Sequence, residues 1–369
     1  MKILLSGAHL TPALAMIDYI QVNHPEDELF FAGRLYSQEA LKQKAVEEVE
    51  VRKKGVHFIP VSAGKFVGGD WLGRLLTVLT FPLAVWRAYR LLRQHQIEVF
   101  LSFGSYLAVP LAVAAKLARV KLVTHEQTVT MGKANQLIAR LADRVALSYE
   151  ETQAYLSRTD AVVTGNPLRQ AKPVQPAWLS KLEKPLVLVM GGNQGSFVIN
   201  DLIAAHLPQL LERYTLVHQC GRPNQLKDSA QWLTQLREQL PPQLRQRYFI
   251  REWIEEAELF WLYEQAHFAL SRAGANAVLE LSHKAVPSIL VPLANTHNDE
   301  QLRNAQLMQR RGGAVVIEQE FLKDDVFLTS LDYMEQQRSS MQACLRKAAQ
   351  LAAAKTEQAA ARIYQLLSD

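Results

Sequence analysis

Short apolar runs alternate with longer amphipathic stretches along most of the chain. The apolar runs predict strands at residues 2–6, 29–32, 56–61, 99–103, 120–124, 144–148, 161–164, 186–190, 215–219, 248–250, 268–270, 288–291 and 315–317. The stretches between them predict helices at about 11–22, 37–53, 72–95, 107–118, 133–142, 224–239, 256–265 and 338–367, with others beginning near 197 and 275 and one ending near 311. Apolar strands that alternate with helices are typical of a mostly parallel sheet covered on both faces. We therefore expect an α/β fold.

The length of the chain and one proline-rich stretch predict two domains. A chain of 369 residues is longer than one hydrophobic core usually supports. Residues 165–185 contain four prolines and little periodicity, which is typical of an interdomain linker. We therefore expect an N-terminal domain at 1–164 and a C-terminal domain at 186–351. The terminal helix at about 352–369 is expected to pack back on the first domain.

Most of the net charge of +5 comes from the first half of the chain. Residues 1–164 contain 19 Lys and Arg against 15 Asp and Glu, and the remainder contains 22 against 21. A basic half can meet a phosphate-bearing substrate, an anionic membrane or nucleic acid. Nucleic acid is the weakest of the three, because no aromatic-basic RNA motif, zinc finger or evident helix-turn-helix accompanies the charge. We expect no nucleic-acid partner.

Cysteine usage and hydropathy exclude further classes. Cys220 and Cys344 are far apart and lack metal-ligand spacing, which favours a reducing compartment and no structural zinc. The first residues lack the longer apolar region of a signal peptide, and no apolar run reaches about 18 residues, so we expect no spanning helix. No carboxylate pair of the Asp-x-Asp type is placed for a metal. We therefore expect neither a metal nor a cofactor.

Residues 65–93 combine bulky apolar side chains with five basic ones. Trp71 and Trp86 stand among leucines, and Asp70 is the single acidic residue. An apolar surface with basic flanks suits an interfacial membrane contact, and a core-facing helix with solvated charges is the alternative. Pro82 is expected to kink or break the helix.

Three loops in the first half follow predicted strands and precede helices. They lie at residues 6–9, 103–106 and 125–128. The carboxyl ends of parallel strands share one edge of a sheet, where ligands bind in open α/β folds. We therefore expect the three loops to line one cleft. His9 is either a surface or capping residue or a functional one, and its place at a strand end favours function.

Two loops in the second half carry residues suited to a sugar or a phosphate. Residues 191–196 form the loop richest in glycine, which lets backbone approach a ligand closely. The loop matches neither the Walker motif nor the dinucleotide fingerprint. Residues 292–301 follow another strand with amides and carboxylates that suit the recognition of sugar hydroxyls.

The stretch Ser271–Glu280 is a strand end, a tight turn and a helix beginning near Ala275. A helix N-terminus presents unpaired N–H groups and a positive dipole end to an anion. Glu280 stands further along the helix, several ångströms from that tip at about 1.5 Å of rise per residue. A phosphate at the tip and a ribose at the carboxylate fit this spacing. An ordinary strand–helix turn with a surface glutamate is the alternative.

Seven motifs in order make the chain resemble the MurG family, the bacterial transferases that add GlcNAc to lipid I. The matching segments are Ser6-Gly7-Ala8-His9 with Pro12-Ala13-Leu14-Ala15, Ser102-Phe103-Gly104-Ser105-Tyr106, His125-Glu126-Gln127-Thr128, Gly165-Asn166-Pro167-Leu168-Arg169, Gly191-Gly192-Asn193-Gln194-Gly195, Ser271-Arg272-Ala273-Gly274-Ala275 with Glu280, and Glu300-Gln301-Leu302-Arg303-Asn304-Ala305. The chain departs from the family pattern at Ala8, Ser105, Thr128 and Asn193. The resemblance runs over nearly the whole sequence.

The resemblance implies a GT-B fold, with two Rossmann-like parallel-sheet domains facing a central cleft. The N-terminal domain would bind the acceptor and the C-terminal domain UDP-GlcNAc. The residues implied to bind the donor are Ser6, Gly7, Ala8, Thr128, Arg169, Asn193, Gln194, Gly195, Ile254, Ala275, Asn276, Ala277, Val278, Leu279, Glu280 and Gln301. The residues implied to bind the acceptor are Gly104, Ser105, Tyr106 and His125.

The resemblance also implies the reaction. GlcNAc would move, with inversion, from UDP-GlcNAc to the 4-hydroxyl of MurNAc in undecaprenyl-pyrophosphoryl-MurNAc-pentapeptide, for peptidoglycan synthesis. His9 would be the general base, and helix dipoles would stabilise the leaving UDP without a metal. Residues 65–93 would rest on the cytoplasmic face of the cell membrane.

Three alternatives remain open at this point. One is a related GT-B transferase with another lipid or small-molecule acceptor, such as diacylglycerol. Another is a UDP-GlcNAc 2-epimerase, and the third is a non-catalytic protein that binds UDP-sugars.

Overall fold

The computed structural model describes the chain except at residues 8, 9, 39–42, 62–70, 170, 180, 181, 193, 224–227, 295, 297 and 298. At residues 37, 38, 43, 44, 71–79 and 352–357 only the backbone is described. The chain divides into two compact units. The first contains Met1–Gln170 together with Ala354–Asp369, and the second contains Ala171–Ala353.

A parallel sheet forms the centre of the first unit. In the described chain its seven strands are β1 (Lys2–Ser6), β2 (Glu28–Gly33), β5 (His57–Pro60), β6 (Val99–Ser102), β7 (Lys121–Glu126), β8 (Arg144–Leu147) and β9 (Val162–Val163). Their order is β5-β2-β1-β6-β7-β8-β9, and all neighbours pair in parallel. The central position of β1 places its carboxyl end beside those of β6 and β2.

Both faces of this sheet are buried, which explains why its strands are continuous apolar runs. Along β1, Leu4 packs into one core cluster, whereas Ile3 and Leu5 pack into the other. Successive side chains of a strand point to opposite faces, so each face needs its own apolar layer of helices. At about 25 cal/mol per Å² of buried apolar surface, this burial is the main favourable contribution to folding.

The helices of the first unit cover the two faces. They are α1 (Leu10–Asn23), α2 (Val46–Lys53), α3 (Trp71–Gln94), α4 (Ala108–Ala118), α5 (Lys133–Leu141) and α14 (Ala359–Ser368), with a 3₁₀ turn at Glu150–Tyr155. The C-terminal helix α14 belongs to this unit through Ile363, Leu366 and Leu367, which pack with residues of β1 and α1.

The predicted helix at 37–53 is wrong over its first part. Strands β3 (Tyr36–Gln38) and β4 (Gln43–Lys44) form an antiparallel pair there, and α2 begins at Val46. The Ala45 N–H donates to the Leu35 carbonyl at 3.0 Å. Strand pairing and this bond satisfy backbone groups that a longer helix would use, so tertiary context overrides the local helix propensity.

Pro82 was expected to kink or break its helix. The helix does not break there, because α3 runs from Trp71 to Gln94. Pro82 is exposed, so water can bond the carbonyl that its missing N–H leaves without a partner. The inward face of the helix is formed by Val85, Ala88 and Leu92, which are buried in the core.

A second parallel sheet forms the centre of the second unit. Within its described residues the six strands are β10 (Leu186–Met190), β11 (Thr215–Gln219), β12 (Tyr248–Arg251), β13 (Ala266–Ser271), β14 (Ser288–Leu290) and β15 (Ala314–Val316). Their order is β12-β11-β10-β13-β14-β15, with parallel pairing throughout. The order reverses at β10, so its carboxyl end lies between those of β11 and β13, where ligands bind in such sheets.

Helices cover this sheet on both faces as well. They are α6 (Phe197–Ala205), α7 (Leu207–Arg213), α8 (Ser229–Glu238), α9 (Pro242–Arg245), α10 (Glu256–Gln265), α11 (Ala275–His283), α12 (Glu300–Arg310) and α13 (Asp324–Glu357), with a 3₁₀ turn at Gln319–Phe321. The sequence predicted one terminal helix at 338–367, and the structure has two. The first, α13, begins earlier than predicted, at Asp324, and Gln358 separates it from α14. No helix in the described ranges combines the length and apolarity needed to cross a bilayer.

Candidate active site

The first unit brings two of the predicted loops together after β1 and β6. Ser6 and Ser102 are register partners at the ends of these strands. A Cβ on Gly7 would lie 2.7 Å from Cβ of Phe103, so the backbone of the first loop packs directly on the second. The Ser6 hydroxyl oxygen is buried and has no hydrogen-bond partner within the described residues. These two loops therefore meet at one sheet edge, as the sequence predicts.

The loop after β6 has a constrained backbone. Gly104 has a φ of +75° and Ser105 a φ of +93°, a region that non-glycine residues adopt rarely. The Ser102 hydroxyl accepts the Gly104 N–H at 3.1 Å, and the Ser105 hydroxyl accepts the Leu107 N–H at 3.3 Å. These bonds hold the turn just before α4 and leave Tyr106 half-buried beside it.

His125, at the end of β7, is buried between two further strand ends. Its Nε2 lies 3.1 Å from both the Gly165 carbonyl and the Ser148 hydroxyl. Its ring stands edge-on to Phe103, with centroids 5.7 Å apart. His125 therefore joins the loop after β6 to the start of the Gly165–Arg169 motif.

Thr128, predicted to bind the donor, has internal partners. Its hydroxyl donates to the Glu126 carboxylate at 2.9 Å and also lies close to the Thr130 carbonyl. Its N–H donates to the same Glu126 oxygen at 3.1 Å. Thr128 is buried, and the bonds stiffen the turn after β7.

In the second unit, the glycine-rich loop after β10 packs backbone against backbone. Gly195 has a φ of +77°, and a Cβ there would lie 2.1 Å from the Cys220 carbonyl oxygen. A Cβ on Gly221 would lie 2.3 Å from Gly195 Cα. Ser196 then caps α6, because its hydroxyl accepts the Ile199 N–H at 3.3 Å. No residue with a Cβ fits at this contact.

A buried chain of hydrogen bonds supports that contact from below. Asn200 Nδ2 donates to the Cys220 carbonyl at 3.1 Å, and its Oδ1 lies 3.0 Å from Nε2 of His218. Nδ1 of His218 lies 2.8 Å from the Tyr248 hydroxyl. Asn200 Oδ1 only accepts, so the imidazole donates to it through Nε2, and in the uncharged ring Nδ1 accepts the Tyr248 hydroxyl. Burial lowers the pKa of His218 to about 3 and keeps the ring uncharged.

The helix α11 begins where β13 ends, with an open N-terminus. Gly274 is its N-cap and offers no side-chain hydrogen bond, so the N–H groups of Ala275, Asn276 and Ala277 depend on another partner. The Asn276 side-chain oxygen is buried and has no hydrogen-bond partner among the described residues. A helix tip of this kind can bind an anion.

Arg272 fixes the turn before this helix. It is 8% exposed, and its guanidinium donates to the carbonyls of Val291 and Pro292 at 3.1 and 3.4 Å and to Gln319 Oε1 at 2.8 Å. Burial lowers its pKa, yet a guanidinium stays charged in proteins. Arg272 thus ties the ends of β13 and β14 together and adds positive charge near the helix tip.

Glu280 lies in the second turn of α11 and is 4% exposed. The Tyr263 hydroxyl, on α10, donates to its Oε2 at 2.9 Å. The carboxylate is therefore held in place by an aromatic side chain that local sequence pattern does not reveal.

The backbone N–H of Ile254, which is also buried, donates to Gln219 Oε1 at 3.3 Å. Gln219 lies at the end of β11, and its main-chain carbonyl accepts the Gly191 N–H at 3.2 Å. Gln219 therefore places the Ile254 backbone beside the glycine-rich loop.

The last predicted segment lies on α12. Gln301 Oε1 accepts the Leu293 N–H at 2.9 Å, and Asn304 Nδ2 donates to the Ala273 carbonyl at 3.3 Å. The start of α12 is thus attached to the turn that precedes α11.

The predicted donor residues of the second unit follow three strand ends: Gln194 and Gly195 after β10, Ile254 after β12, and Ala275–Glu280 after β13. Gln301 lies on α12. His9, Ala8 and Asn193 lie outside the described residues, and the roles of all these residues stay predictions. The sequence reasoning missed Gln219 and Tyr263 as supporting residues. Among the described residues, no group of three or more His, Cys, Asp and Glu side chains is placed to hold a metal ion.

Two units with parallel sheets of this topology have the architecture of GT-B glycosyltransferases. The crystal structure of Acinetobacter baumannii MurG matches with a TM-score of 0.70 at 21% identity and covers 100% of this chain and 99% of its own. The glycosyltransferase of kitacinnamycin matches with a TM-score of 0.69 at 16% identity, covering 99% and 98%. The predicted GT-B fold class is confirmed.

The chain belongs to glycosyltransferase family 28. The model of the family's N-terminal domain matches residues 6–147, and that of its C-terminal domain matches residues 186–363.

Two curated relatives carry the same enzyme name, UDP-N-acetylglucosamine–N-acetylmuramyl-(pentapeptide) pyrophosphoryl-undecaprenol N-acetylglucosamine transferase. The Bacillus cereus protein, numbered 2, is 28% identical and covers 93% of this chain and 92% of its own. The Clostridium botulinum protein is 27% identical and covers 92% of each. The family resemblance drawn from the seven motifs is confirmed.

Substituting alanine for Gly195 should destabilise the second unit more than the same change at Gly192. Gly192 has a φ of +81° with nothing within 4 Å of an added Cβ, so Gly192→Ala costs about 1–2 kcal/mol of backbone strain. Gly195→Ala adds a clash with the Cys220 carbonyl. Urea unfolding of both variants measures the difference, and equal losses would contradict the described packing.

Acidification should lower the free energy of unfolding, because the unfolded chain protonates His218 more readily than the folded chain does. The folded pKa of about 3 lies below the ordinary value of 6.5, so the unfolded chain alone takes up this proton between those pH values. The contribution is a loss of up to about 1.4 kcal/mol per pH unit as the pH falls from about 6.5 towards 3. His218→Gln should reduce the slope of unfolding free energy against pH, and an unchanged slope would refute this origin.

Proposed function

We propose that the protein transfers GlcNAc from UDP-GlcNAc to lipid I, undecaprenyl-pyrophosphoryl-MurNAc-pentapeptide, and so forms lipid II. The proposal is carried by the curated relatives, which bear the name of this activity over more than nine-tenths of the chain. The open N-terminus of α11, with Glu280 further along the same helix, supports a nucleotide-sugar donor.

The second unit is proposed to bind UDP-GlcNAc. The N–H groups of Ala275–Ala277 meet the α-phosphate, and the positive helix end offsets its charge. Glu280 accepts hydrogen bonds from the two ribose hydroxyls, with its orientation fixed by Tyr263. The Ile254 backbone frames the uracil, and Gln301 binds GlcNAc hydroxyls. Val278 and Leu279 continue the helix between the phosphate and the ribose.

The diphosphate and sugar are proposed to lie under two further segments. Arg169 supplies charge, and Asn193, Gln194 and Gly195 approach through the glycine-rich loop. The backbone contact between Gly195 and Cys220 supports this role, because it gives the loop a fixed position against β11.

The first unit is proposed to bind the acceptor through Gly104, Ser105, Tyr106 and His125. Ser6, Gly7, Ala8 and Thr128 are proposed to contribute to donor binding. The buried Ser6 hydroxyl oxygen without a described partner supports a polar ligand at the end of β1. Thr128 has its hydroxyl engaged internally, so its contribution is to shape the turn.

His9 is proposed as the general base that takes the proton of the MurNAc 4-hydroxyl. That oxygen attacks the anomeric carbon of GlcNAc, the bond to the UDP oxygen breaks, and the configuration inverts. An imidazole with an ordinary pKa near 6.5 suits this step near neutral pH and contributes about 10²–10⁴-fold. No metal takes part in the proposal, since the α11 dipole stabilises the leaving UDP.

A membrane-facing role is proposed for residues 65–93, on the cytoplasmic side where a lipid acceptor is accessible. On the described part of α3, Leu83 and Trp86 are 44% and 52% exposed. Arg87, Arg90 and Arg93 are exposed among them, and the Arg90 guanidinium lies 5.0 Å from the Trp86 ring centroid. An aromatic and basic surface of this kind suits anionic lipid headgroups.

A transfer assay tests the proposal directly. The protein is incubated with UDP-GlcNAc and lipid I, with diacylglycerol, or with no acceptor, and we expect lipid II in the first reaction alone. Glycosylated diacylglycerol would indicate another lipid glycosyltransferase. Turnover of UDP-GlcNAc without an acceptor would indicate an epimerase, and binding without transfer a non-catalytic protein.

Replacing Glu280 by alanine should weaken UDP binding. Hydrogen bonds to a charged group contribute about 1.5–3 kcal/mol, so a loss of at least about 10-fold in affinity is expected by calorimetry. Glu264→Ala, at an exposed carboxylate on α10, is the control and should bind UDP like the parent protein. Unchanged affinity of Glu280→Ala would show that the ribose lies elsewhere.

A further inference from the structure

One buried amide connects two of the loops proposed to bind the acceptor. Asn135 lies in the first turn of α5 and is 4% exposed. Its Nδ2 donates to Glu126 Oε2 at 2.8 Å and to the His125 carbonyl at 3.3 Å. Its Oδ1 accepts the Thr124 hydroxyl at 2.8 Å. The side chain therefore bonds the last three residues of β7.

The same amide lies against the turn after β6. A Cβ on Gly104 would be 3.3 Å from Asn135 Cγ and 3.4 Å from its Nδ2, which is tighter than ordinary van der Waals contact. The φ of +75° at Gly104 adds a second reason for glycine at this position. Asn135 is thus in contact with the turn that leads to Ser105 and Tyr106 while it bonds the strand that ends at His125 and Glu126.

Glu126 fixes the orientation of the Asn135 side-chain amide. Its Oε1 accepts the Thr128 N–H and hydroxyl, and its Oε2 accepts the Asn135 amide. A carboxylate only accepts, so the Asn135 nitrogen must face it and the Asn135 oxygen must face the Thr124 hydroxyl. The bond to a charged acceptor is stronger than one between neutral groups. The pair of Glu126 and Asn135 therefore has one stable orientation.

The contacts of the amide differ from those of the rest of its helix. Ile138 and Ala139 provide the apolar packing of α5 in the core. Asn135, by contrast, bonds the end of β7 and lies against the turn at Gly104. A change at the amide should therefore move these loops while the apolar attachment of α5 remains.

We propose that Asn135 is a positioning residue for acceptor binding. Paired with Glu126, it sets the spacing between the turn at Gly104 and the strand end at His125, the two places proposed to bind the lipid-linked acceptor. The inference rests on the proposed function of the first unit. Asn135 itself touches no substrate and acts through Gly104 and His125.

Exchanging the two partners tests the proposal. N135D places a second carboxylate against that of Glu126, and E126Q places an amide nitrogen against the Asn135 nitrogen without adding charge. Each should lower kcat/KM for lipid I by about 10–100-fold, since a buried charge-assisted hydrogen bond is lost. UDP affinity, measured by calorimetry, should stay within about twofold, because the residues proposed to contact the nucleotide itself, Ile254 and Ala275–Glu280, lie in the other unit.

The double variant E126Q/N135D restores a donor opposite an acceptor with the roles reversed. It should recover most of the activity that either single variant loses, which a merely additive structural effect would not do. N23D, which changes an exposed asparagine on α1, is the matched control and should keep the parent kinetics. Circular dichroism and unfolding of each variant identify those that fold.

The outcomes separate this inference from the proposed function. Loss of kcat/KM for lipid I with intact UDP affinity, and recovery in the double variant, support it. A double variant no better than the singles, or UDP affinity that falls in step with kcat/KM, overturns it. Binding of lipid I in detergent is measured beside transfer: a parent protein that binds lipid I without transferring refutes the proposed function, and N135D must then lose this binding. A parent protein that does neither refutes both.

Discussion

The positive N-terminus of α11 is the feature on which the account of this protein depends. Its first N–H groups have no side-chain cap, and the cap residue is Gly274. Unpaired amides at a helix tip are costly when water is excluded, and a bound phosphate supplies acceptors for several of them at once. The proposed reaction produces UDP, so the same tip is proposed both to hold the donor and to stabilise the leaving group.

Three buried side chains of the second unit hold α11 and the turn before it in place. Arg272 ties the preceding turn to the end of the neighbouring strand β14, and Asn304 ties it to α12. Tyr263 holds the Glu280 carboxylate from α10. These side chains are buried, so their hydrogen bonds are little weakened by water. Pre-organisation of this kind reduces the ordering that a ligand must impose when it binds.

The sequence predicted most of the fold because the strands are buried on both faces. A doubly buried strand must be a continuous apolar run, and most of those runs mark the strands to within one or two residues. The hairpin at residues 36–44 and the early start of α13 at Asp324 were missed. The hairpin depends on strand pairing such as that of Tyr36 with Lys44, and the start of α13 depends on the packing of Phe327 and Leu331 in the core. Helical periodicity contains neither contact.

Only part of the candidate site was predictable from the sequence. Glycine turns after strands and an open helix N-terminus are local signals, so residues such as Gly104, Gly195 and Ala275 could be chosen from the sequence. Tyr263, Gln219 and Asn135 could not, because each acts through a hydrogen bond to a residue at least nine positions away. A resemblance to a family supplied the reaction, which no pattern of apolar and polar positions specifies.

The structure of the protein bound to UDP-GlcNAc tests the central claim most directly. We expect the diphosphate within hydrogen-bond distance of the N–H groups of Ala275, Asn276 and Ala277, with the ribose hydroxyls on the Glu280 carboxylate. A diphosphate bound away from the start of α11 would contradict the account.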